Sequence, residues 1–359
     1  MKLEWACGMM AIVAGLATRT VQAGEPVPAA DARVTYEGRY AVGEGGSVRL
    51  GFPGVTAHLR FHGKRLTVRL KASEKGISFD SRVDGGGWQR VYLEAGEGTY
   101  TVFDAAGAGD HEVALLRCDE SWVGTYDLLA FDPGPDGTVL EPPRLPARRM
   151  MFIGDSVTCG AMDAWEPGME MHLKANSDAR LSYGMILASR LGAQCHLVSY
   201  GGRGIVRDWQ GIRDTGNAPQ FYELARPDDP AVAWNPASYV PDAIGIQLGT
   251  NDFNQGVPDQ NEFVNTYVEF IRKVLRDAPA AWVFVMDSPI VGDDAVKGPR
   301  RTVLHAYLEQ IVARVRQPRV VVAPLRVYPG VPGNGHPTGA EHVAMADALE
   351  PAVRRALGW

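Results

Sequence analysis

From residue 31 to 132, apolar and polar side chains alternate with a period of two, the spacing that puts every second side chain on one face of a sheet. Ala57, Leu59 and Phe61 alternate with polar neighbours. Past the turn-like His62-Gly63-Lys64, Leu66, Val68 and Leu70 do the same, which predicts a β-hairpin. Further short strands are predicted over 78–83, 89–93, 99–103, 111–117 and 126–131, separated by turn clusters such as Asp84-Gly85-Gly86-Gly87. So many short strands close most naturally as an all-β sandwich of jelly-roll kind. The proline- and glycine-rich residues 133–148 then read as a linker.

After Arg149 strands alternate with helices, the signature of an α/β three-layer domain whose parallel sheet is covered on both faces, here over residues 149–359. Buried strands are predicted at 150–153, 195–199, 243–248, 282–286 and 320–323. Phe263, Tyr267, Phe270, Ile271 and Val274 keep helical spacing, as do Val303, Tyr307, Leu308 and Ile311. A last helix is predicted from about 340 to 357, with Pro351 inside it. Ligands in such sheets bind beyond the carboxyl ends of the strands, which directs attention to the loops that follow them.

Composition narrows the classes. Hydrophobic residues make up 45% and charged residues 22%, so a folded, globular chain is expected rather than a disordered one. Residues 1–23 carry an early Lys2, an apolar stretch over 5–17 and the small-residue ending Val21-Gln22-Ala23, which resembles a secretory signal peptide. The expected location is therefore secreted or periplasmic, with no membrane span once the leader is cleaved, because the apolar stretch is too short to cross a bilayer. The net charge of -6, with 36 Lys and Arg against 42 Asp and Glu in no long runs, offers no basic stripe for phosphates. Nucleic acid is not an expected partner. Four cysteines fall to three when Cys7 leaves with the leader. Three cannot all pair, which leaves either one bridge, with Cys159 and Cys195 the better pair, or small buried thiols. No CxxC, HExxH or clustered His/Cys spacing occurs, so neither a metal nor a cofactor is expected.

Four loops at the predicted strand ends carry unusual residues. Gly154-Asp155-Ser156 sets a serine at a turn before a helix, where backbone N–H groups can meet an oxyanion; the same tripeptide also serves as an ordinary N-cap. Tyr200-Gly201-Gly202-Arg203-Gly204 allows close backbone approach, or is a plain turn. Leu248-Gly249-Thr250-Asn251-Asp252 offers an uncharged amide donor suited to a tetrahedral oxyanion, or an Asx turn. His336, in Asn334-Gly335-His336-Pro337-Thr338, is alone among the eight histidines in lying on a site-edge loop directly before a helix.

Together these blocks, GDSVTCG, SYGGRGIVRDW, LGTND and GHPTGAEH, resemble the SGNH (GDSL-type) hydrolase superfamily over residues 149–359, and look most like carbohydrate esterase family 2. Members of that family also carry an N-terminal jelly roll, to which residues 34–131 are similar. The resemblance implies removal of acetyl groups from acetylated polysaccharides or oligosaccharides such as xylan or glucomannan. It implies Ser156 as nucleophile, His336 as its general base, and an oxyanion hole of the Ser156 N–H, the Gly202 N–H and the Asn251 side chain. One position departs from the superfamily: the acid expected three residues before the histidine is Gly333. A Ser–His dyad is therefore expected, with the imidazole held by a backbone carbonyl.

The competing expectations are a lipase, lysophospholipase or thioesterase acting on another ester, and a non-catalytic carbohydrate-binding protein. Against acyl-chain substrates, no extended apolar loop lies near Ser156 in the sequence. Residues 207–235 instead mix Trp209, Tyr222 and Trp234 with polar side chains, which suits sugar rings, Trp209 above all; the same aromatics would equally serve a core.

Overall fold

The computed structural model describes residues 24–359, so the stretch read as a signal peptide lies outside it. Among the described residues ten strands form one antiparallel sheet that curls over itself. They are β1 (Val27–Pro28), β2 (Thr35–Glu37), β3 (Tyr40–Val42), β4 (Val48–Leu50), β5 (Thr56–Ala72), β6 (Ser78–Val83), β7 (Gln89–Tyr92), β8 (Gly96–Arg117), β9 (Tyr126–Asp132) and β10 (Thr138–Val139). The central path is β3-β4-β9-β5-β8-β6-β7.

The hairpin expected at residues 62–64 is not formed. Thr56–Ala72 is one long strand, paired with β8 on both sides of an irregularity between Gly63 and Arg65, and the two strands expected over 99–103 and 111–117 are likewise one, β8. The alternation misled because its phase changes, from Ala57, Leu59 and Phe61 to Leu66, Val68 and Leu70. A bulge shifts the phase by one residue without reversing the chain, and period two alone cannot distinguish it from a turn.

Among the described residues five strands form the parallel sheet: β11 (Arg148–Gly154), β12 (Ala193–Ser199), β13 (Ala243–Gln247), β14 (Trp282–Met286) and β15 (Val320–Ala323), in the order β12-β11-β13-β14-β15. The helices are α1 (Ser156–Cys159), α2 (Tyr183–Arg190), α3 (Ala218–Phe221), α4 (Gln260–Asp277), α5 (Arg300–Val315) and α6 (Gly339–Leu357). Side chains of β11 divide between the two faces. Met150 and Phe152 pack with Leu187 of α2 and Met345 of α6, while Met151 and Ile153 join the core that holds Val264 of α4 and Ile311 of α5.

The two layers of architecture lock together through buried polar contacts. Arg39, between β2 and β3, is fully buried and donates to the carbonyls of Tyr222 at 2.5 Å and Leu224 at 3.1 Å, its guanidinium flanked by the Tyr222 and Trp234 rings. The Cys195 N–H donates to Glu37 at 2.6 Å, and Ser121 Oγ donates to the Ser199 carbonyl at 2.6 Å. A fully buried guanidinium is costly to desolvate, so these partners are structural necessities.

Candidate active site

Register brings three loops to one level. Gly154 at the end of β11 pairs with Ser199 of β12 and Gln247 of β13, so the loops that follow leave the sheet side by side. The first parallel strand has the second on one flank and the third on the other, and successive loops diverge there to leave a crevice. Ser156 enters it as the first residue of α1, half-buried, behind the N-cap Asp155 whose Oδ1 accepts the Val157 N–H at 3.0 Å. Burial raises the Asp155 carboxyl to about 7, against the bonds it accepts from Thr250, Val157 and Gln247.

His336 reaches Ser156 from the loop between β15 and α6. Its Nε2 lies 2.8 Å from Ser156 Oγ, and its Nδ1 lies 2.5 Å from Asn334 Oδ1. The His336 backbone N–H donates to that same Asn334 oxygen at 3.3 Å. A backbone N–H can only donate, so the atom facing it is the amide oxygen; Nδ1 must then carry the proton, and Nε2 presents a lone pair to the serine hydroxyl. Burial lowers the imidazole to about 4, so the ring is neutral near neutral pH.

The expected backbone carbonyl is thus replaced by the Asn334 side chain. Two of the loop's carbonyls are engaged within the turn: the Val331 carbonyl accepts from the Asn334 and Gly335 N–H groups at 3.0 and 2.8 Å, and the His336 carbonyl accepts from Val331 at 2.8 Å. Gly333 sits in this turn at φ +79°, a conformation open to glycine and strained for other residues. Glu341 faces elsewhere. Its Oε2 accepts the Thr338 N–H at 2.8 Å and its Oε1 accepts the Gly330 N–H at 3.2 Å, closing a capping box on α6.

Asn251 and Gly202 stand on the two neighbouring loops. Asn251 Nδ2 donates one hydrogen to the Arg203 carbonyl at 2.8 Å, which orients the amide and leaves its second hydrogen unspent. Among the described residues the N–H groups of Ser156 and Gly202 likewise donate to no acceptor. Next to Asn251, the fully buried Asp252 accepts the N–H groups of Ile205, Val206 and Arg207 at 2.8 to 3.2 Å, tying down the glycine-rich loop. Desolvation holds its carboxyl near 6, and those backbone bonds oppose the shift. The sequence offered an Asx turn at this position; the three amides lie some 45 residues away along the chain, beyond the reach of any local pattern.

Residues 36–143 match the carbohydrate esterase 2 N-terminal family, and residues 152–358 match the GDSL-like lipase/acylhydrolase family. An acetylxylan esterase / glucomannan deacetylase of Cellvibrio japonicus is 32% identical over 93% of this chain and 91% of its own length. The chain belongs to carbohydrate esterase family 2. A solved family two carbohydrate esterase from Cellvibrio japonicus superposes with a TM-score of 0.88 at 31% identity, covering 94% of this chain and 99% of that one. Another from Clostridium thermocellum, solved with cellohexaose, gives 0.83 at 26% identity over 91% and 99% of the two chains. The protein is a carboxylic ester hydrolase of a jelly-roll plus SGNH architecture.

Within this family 2 esterase the three aromatics of residues 207–235 take different parts. Tyr222 and Trp234 pack against Arg39 and the core, whereas Trp209 is 51% exposed beside the Gly202 loop. Its backbone is pinned at both ends, donating to the Gly202 carbonyl at 2.9 Å and accepting from Asn254 and Gln255 at 2.9 and 3.0 Å. Gly202, at φ +78°, has its Cα facing this indole, and a Cβ there would come within 2.9 Å of it. The three cysteines of the esterase that are described are free and buried. Cys159 Sγ donates to Ser199 Oγ at 3.2 Å, at the end of β12, while Cys195 lies roughly 13 Å back along that strand. The pairing considered for Cys159 and Cys195 is therefore not made. Among the described residues no helix is long and apolar enough to cross a membrane.

Proposed function

We propose that this esterase removes O-acetyl groups from a plant polysaccharide, acetylated xylan or glucomannan, through an acyl-enzyme on Ser156. The observation that carries the reading is the 2.8 Å contact between Ser156 Oγ and the unprotonated Nε2 of His336. A serine hydroxyl is a weak nucleophile until a positioned base takes its proton. As Oγ attacks the acetyl carbonyl carbon, its proton passes to Nε2. The carbonyl π electrons move onto oxygen, where the Ser156 N–H, the Gly202 N–H and the free Asn251 amide hydrogen receive the charge. Collapse expels the sugar oxygen, which takes the proton from Nε2. Water then repeats the sequence on the acetyl-enzyme, giving acetate and free Ser156.

The substrate class is supported by the printed activity of the Cellvibrio japonicus relative and by Trp209, an indole held beside the oxyanion loop where a sugar ring can stack. The division into a sandwich over 31–132 and a catalytic domain over 149–359 is supported by the two family matches, whereas the stretch read as a linker over 133–148 is partly sandwich, since the first match runs to residue 143 and β10 (Thr138–Val139) pairs with β5. Secretion or periplasmic export is supported by the leader-like residues 1–23, and N-terminal sequencing of the processed protein tests it.

The central test is acetate release from acetylated xylan and glucomannan, beside p-nitrophenyl acetate and octanoate. Acetate is expected to exceed octanoate in kcat/KM, and Ser156→Ala is expected to lose several orders of magnitude in kcat while staying folded. Equal or better cleavage of octanoate would move the reading to a lipase.

A further inference from the structure

Trp122 belongs to the β-sandwich, between β8 and β9, yet its indole stands at the catalytic loop. A Cβ on Gly201 would lie 3.1 Å from Trp122 Cδ1 and 3.2 Å from its Nε1. Gly202, the next residue, faces Trp209 in the same way. Two consecutive glycines of one loop therefore each carry an indole, one supplied by each domain, and both rings stay in solvent, Trp122 at 39% exposure. Folding generally covers rings of this size where it can, and two left open at one loop mark a surface with a use.

The ring is also held in place. Ser121, the preceding residue, donates to the Ser199 carbonyl, and Val123, the following one, is buried and donates to the Glu120 carbonyl at 3.1 Å. On the outer side Lys174 Nζ lies 5.8 Å from the indole centroid and is tied at 2.8 Å to Glu74. A ring fixed before binding loses little freedom when a ligand stacks on it, and the neighbouring ammonium and carboxylate can serve hydroxyl groups at its rim.

We propose that Trp122 is a sugar-binding platform that the sandwich contributes to the esterase site, taking a pyranose ring of the acetylated chain on the side of the loop opposite Trp209. This rests on the carbohydrate reading above. The apolar C–H face of a sugar matches an indole, and a chain lying across both rings presents the acetyl group between them to Ser156. The sandwich is then part of the substrate site and more than a support for it.

The test compares wild type, Trp122→Ala and Trp122→Phe on acetylated oligosaccharides of xylan and glucomannan and on p-nitrophenyl acetate. The quantity read is the ratio of kcat/KM on the glycan to that on the small ester. It is expected to fall about tenfold in W122A, a loss of ~1.4 kcal/mol carried by KM, and to recover to within about threefold of wild type in W122F. A ratio within about twofold of wild type in W122A overturns the proposal, whether both activities survive or both fall together. A wild-type enzyme that hydrolyses p-nitrophenyl acetate and no acetylated glycan overturns the substrate reading first, and the two failures are read from different lanes.

Discussion

Asn334 Oδ1 accepts from both the backbone and the ring of His336, at 3.3 Å and 2.5 Å, and this double contact lets a neutral amide orient the imidazole proposed as the general base. An amide in place of a triad acid commonly fails because it can turn its NH2 to the imidazole and select the wrong tautomer. Here the His336 backbone N–H fixes the amide oxygen inward, so the ring keeps its proton on Nδ1. What the amide lacks is charge, and the lowered pKa of His336, about 4, reflects burial without a counter-ion.

Substituting this residue separates orientation from charge. Asn334→Ala should lower kcat roughly 10–100-fold by freeing the ring. Asn334→Asp places a carboxylate at Nδ1 and should raise the His336 pKa. Since the base must be neutral, activity falls as pH drops through that pKa, so the acid limb of kcat/KM should lie near pH 4 in wild type and at least about one unit higher in N334D. Coincident limbs in the two proteins would break the link between Asn334 and His336. Gly333→Asp is the poorer test, because its φ of +79° strains any side chain.

Glu341→Gln should leave kcat within a few fold, because the carboxylate caps α6 and holds Gly330 instead of facing the imidazole. Its cost should appear in stability, about 0.5–2 kcal/mol for a weakened cap. A loss in kcat matching that of His336→Ala would make Glu341 a third catalytic member.

The sequence carried the element types well where periodicity was unambiguous. Trp282–Met286 and Val320–Ala323 have the bounds expected of buried parallel strands, since a strand covered on both faces reads as a continuous apolar run. It failed at Gly63, where a bulge and a turn leave the same phase change. The strand-end loops were legible as places, because register and topology follow from alternating strands and helices. The side chains set against them, Asp252 bonded to residues 205–207 and Trp122 beside Gly201, come from remote segments and leave no local pattern.

Asn251 and Asp252 are chain neighbours whose substitutions should be distinguishable. Asn251→Ala should reduce kcat about 10²–10³-fold with little change in KM or thermal stability, since it removes one donor to the developing charge. Asp252→Ala strands three buried N–H groups, each worth about 1–3 kcal/mol when unmet, so it should lower Tm by several degrees as well as kcat. If N251A destabilised the fold and left kcat unaltered, the amide would belong to the scaffold and not to the oxyanion site.

Glu120 gives a prediction about stability that is independent of catalysis. It is buried under the Gly201 loop, where the Trp122 indole N–H is the donor beside its carboxylate and no donor among the described residues reaches either oxygen with full hydrogen-bond geometry. Desolvation lifts its pKa from 4.5 to about 8, and Trp122 offsets only part of that. As pH rises past 4.5 the unfolded chain gives up the proton while the folded protein keeps it until about 8. The stability this group supplies is therefore full below pH 4.5, is lost progressively as pH climbs, and is gone above about 8. Glutamine cannot ionise, so Glu120→Gln escapes the loss. Burying its amide hydrogens carries a cost, but the same cost at every pH, which makes the slope the decisive quantity. The Tm of E120Q minus that of wild type, followed by differential scanning fluorimetry from pH 5 to pH 9, should rise by at least about 3 °C in favour of the variant. The other raised carboxyls, Asp119, Asp155, Asp163, Asp178 and Asp252, are present in both proteins and largely cancel in this difference. A difference that stays flat, or that falls with pH, would mean Glu120 is already ionised and paired in the folded protein.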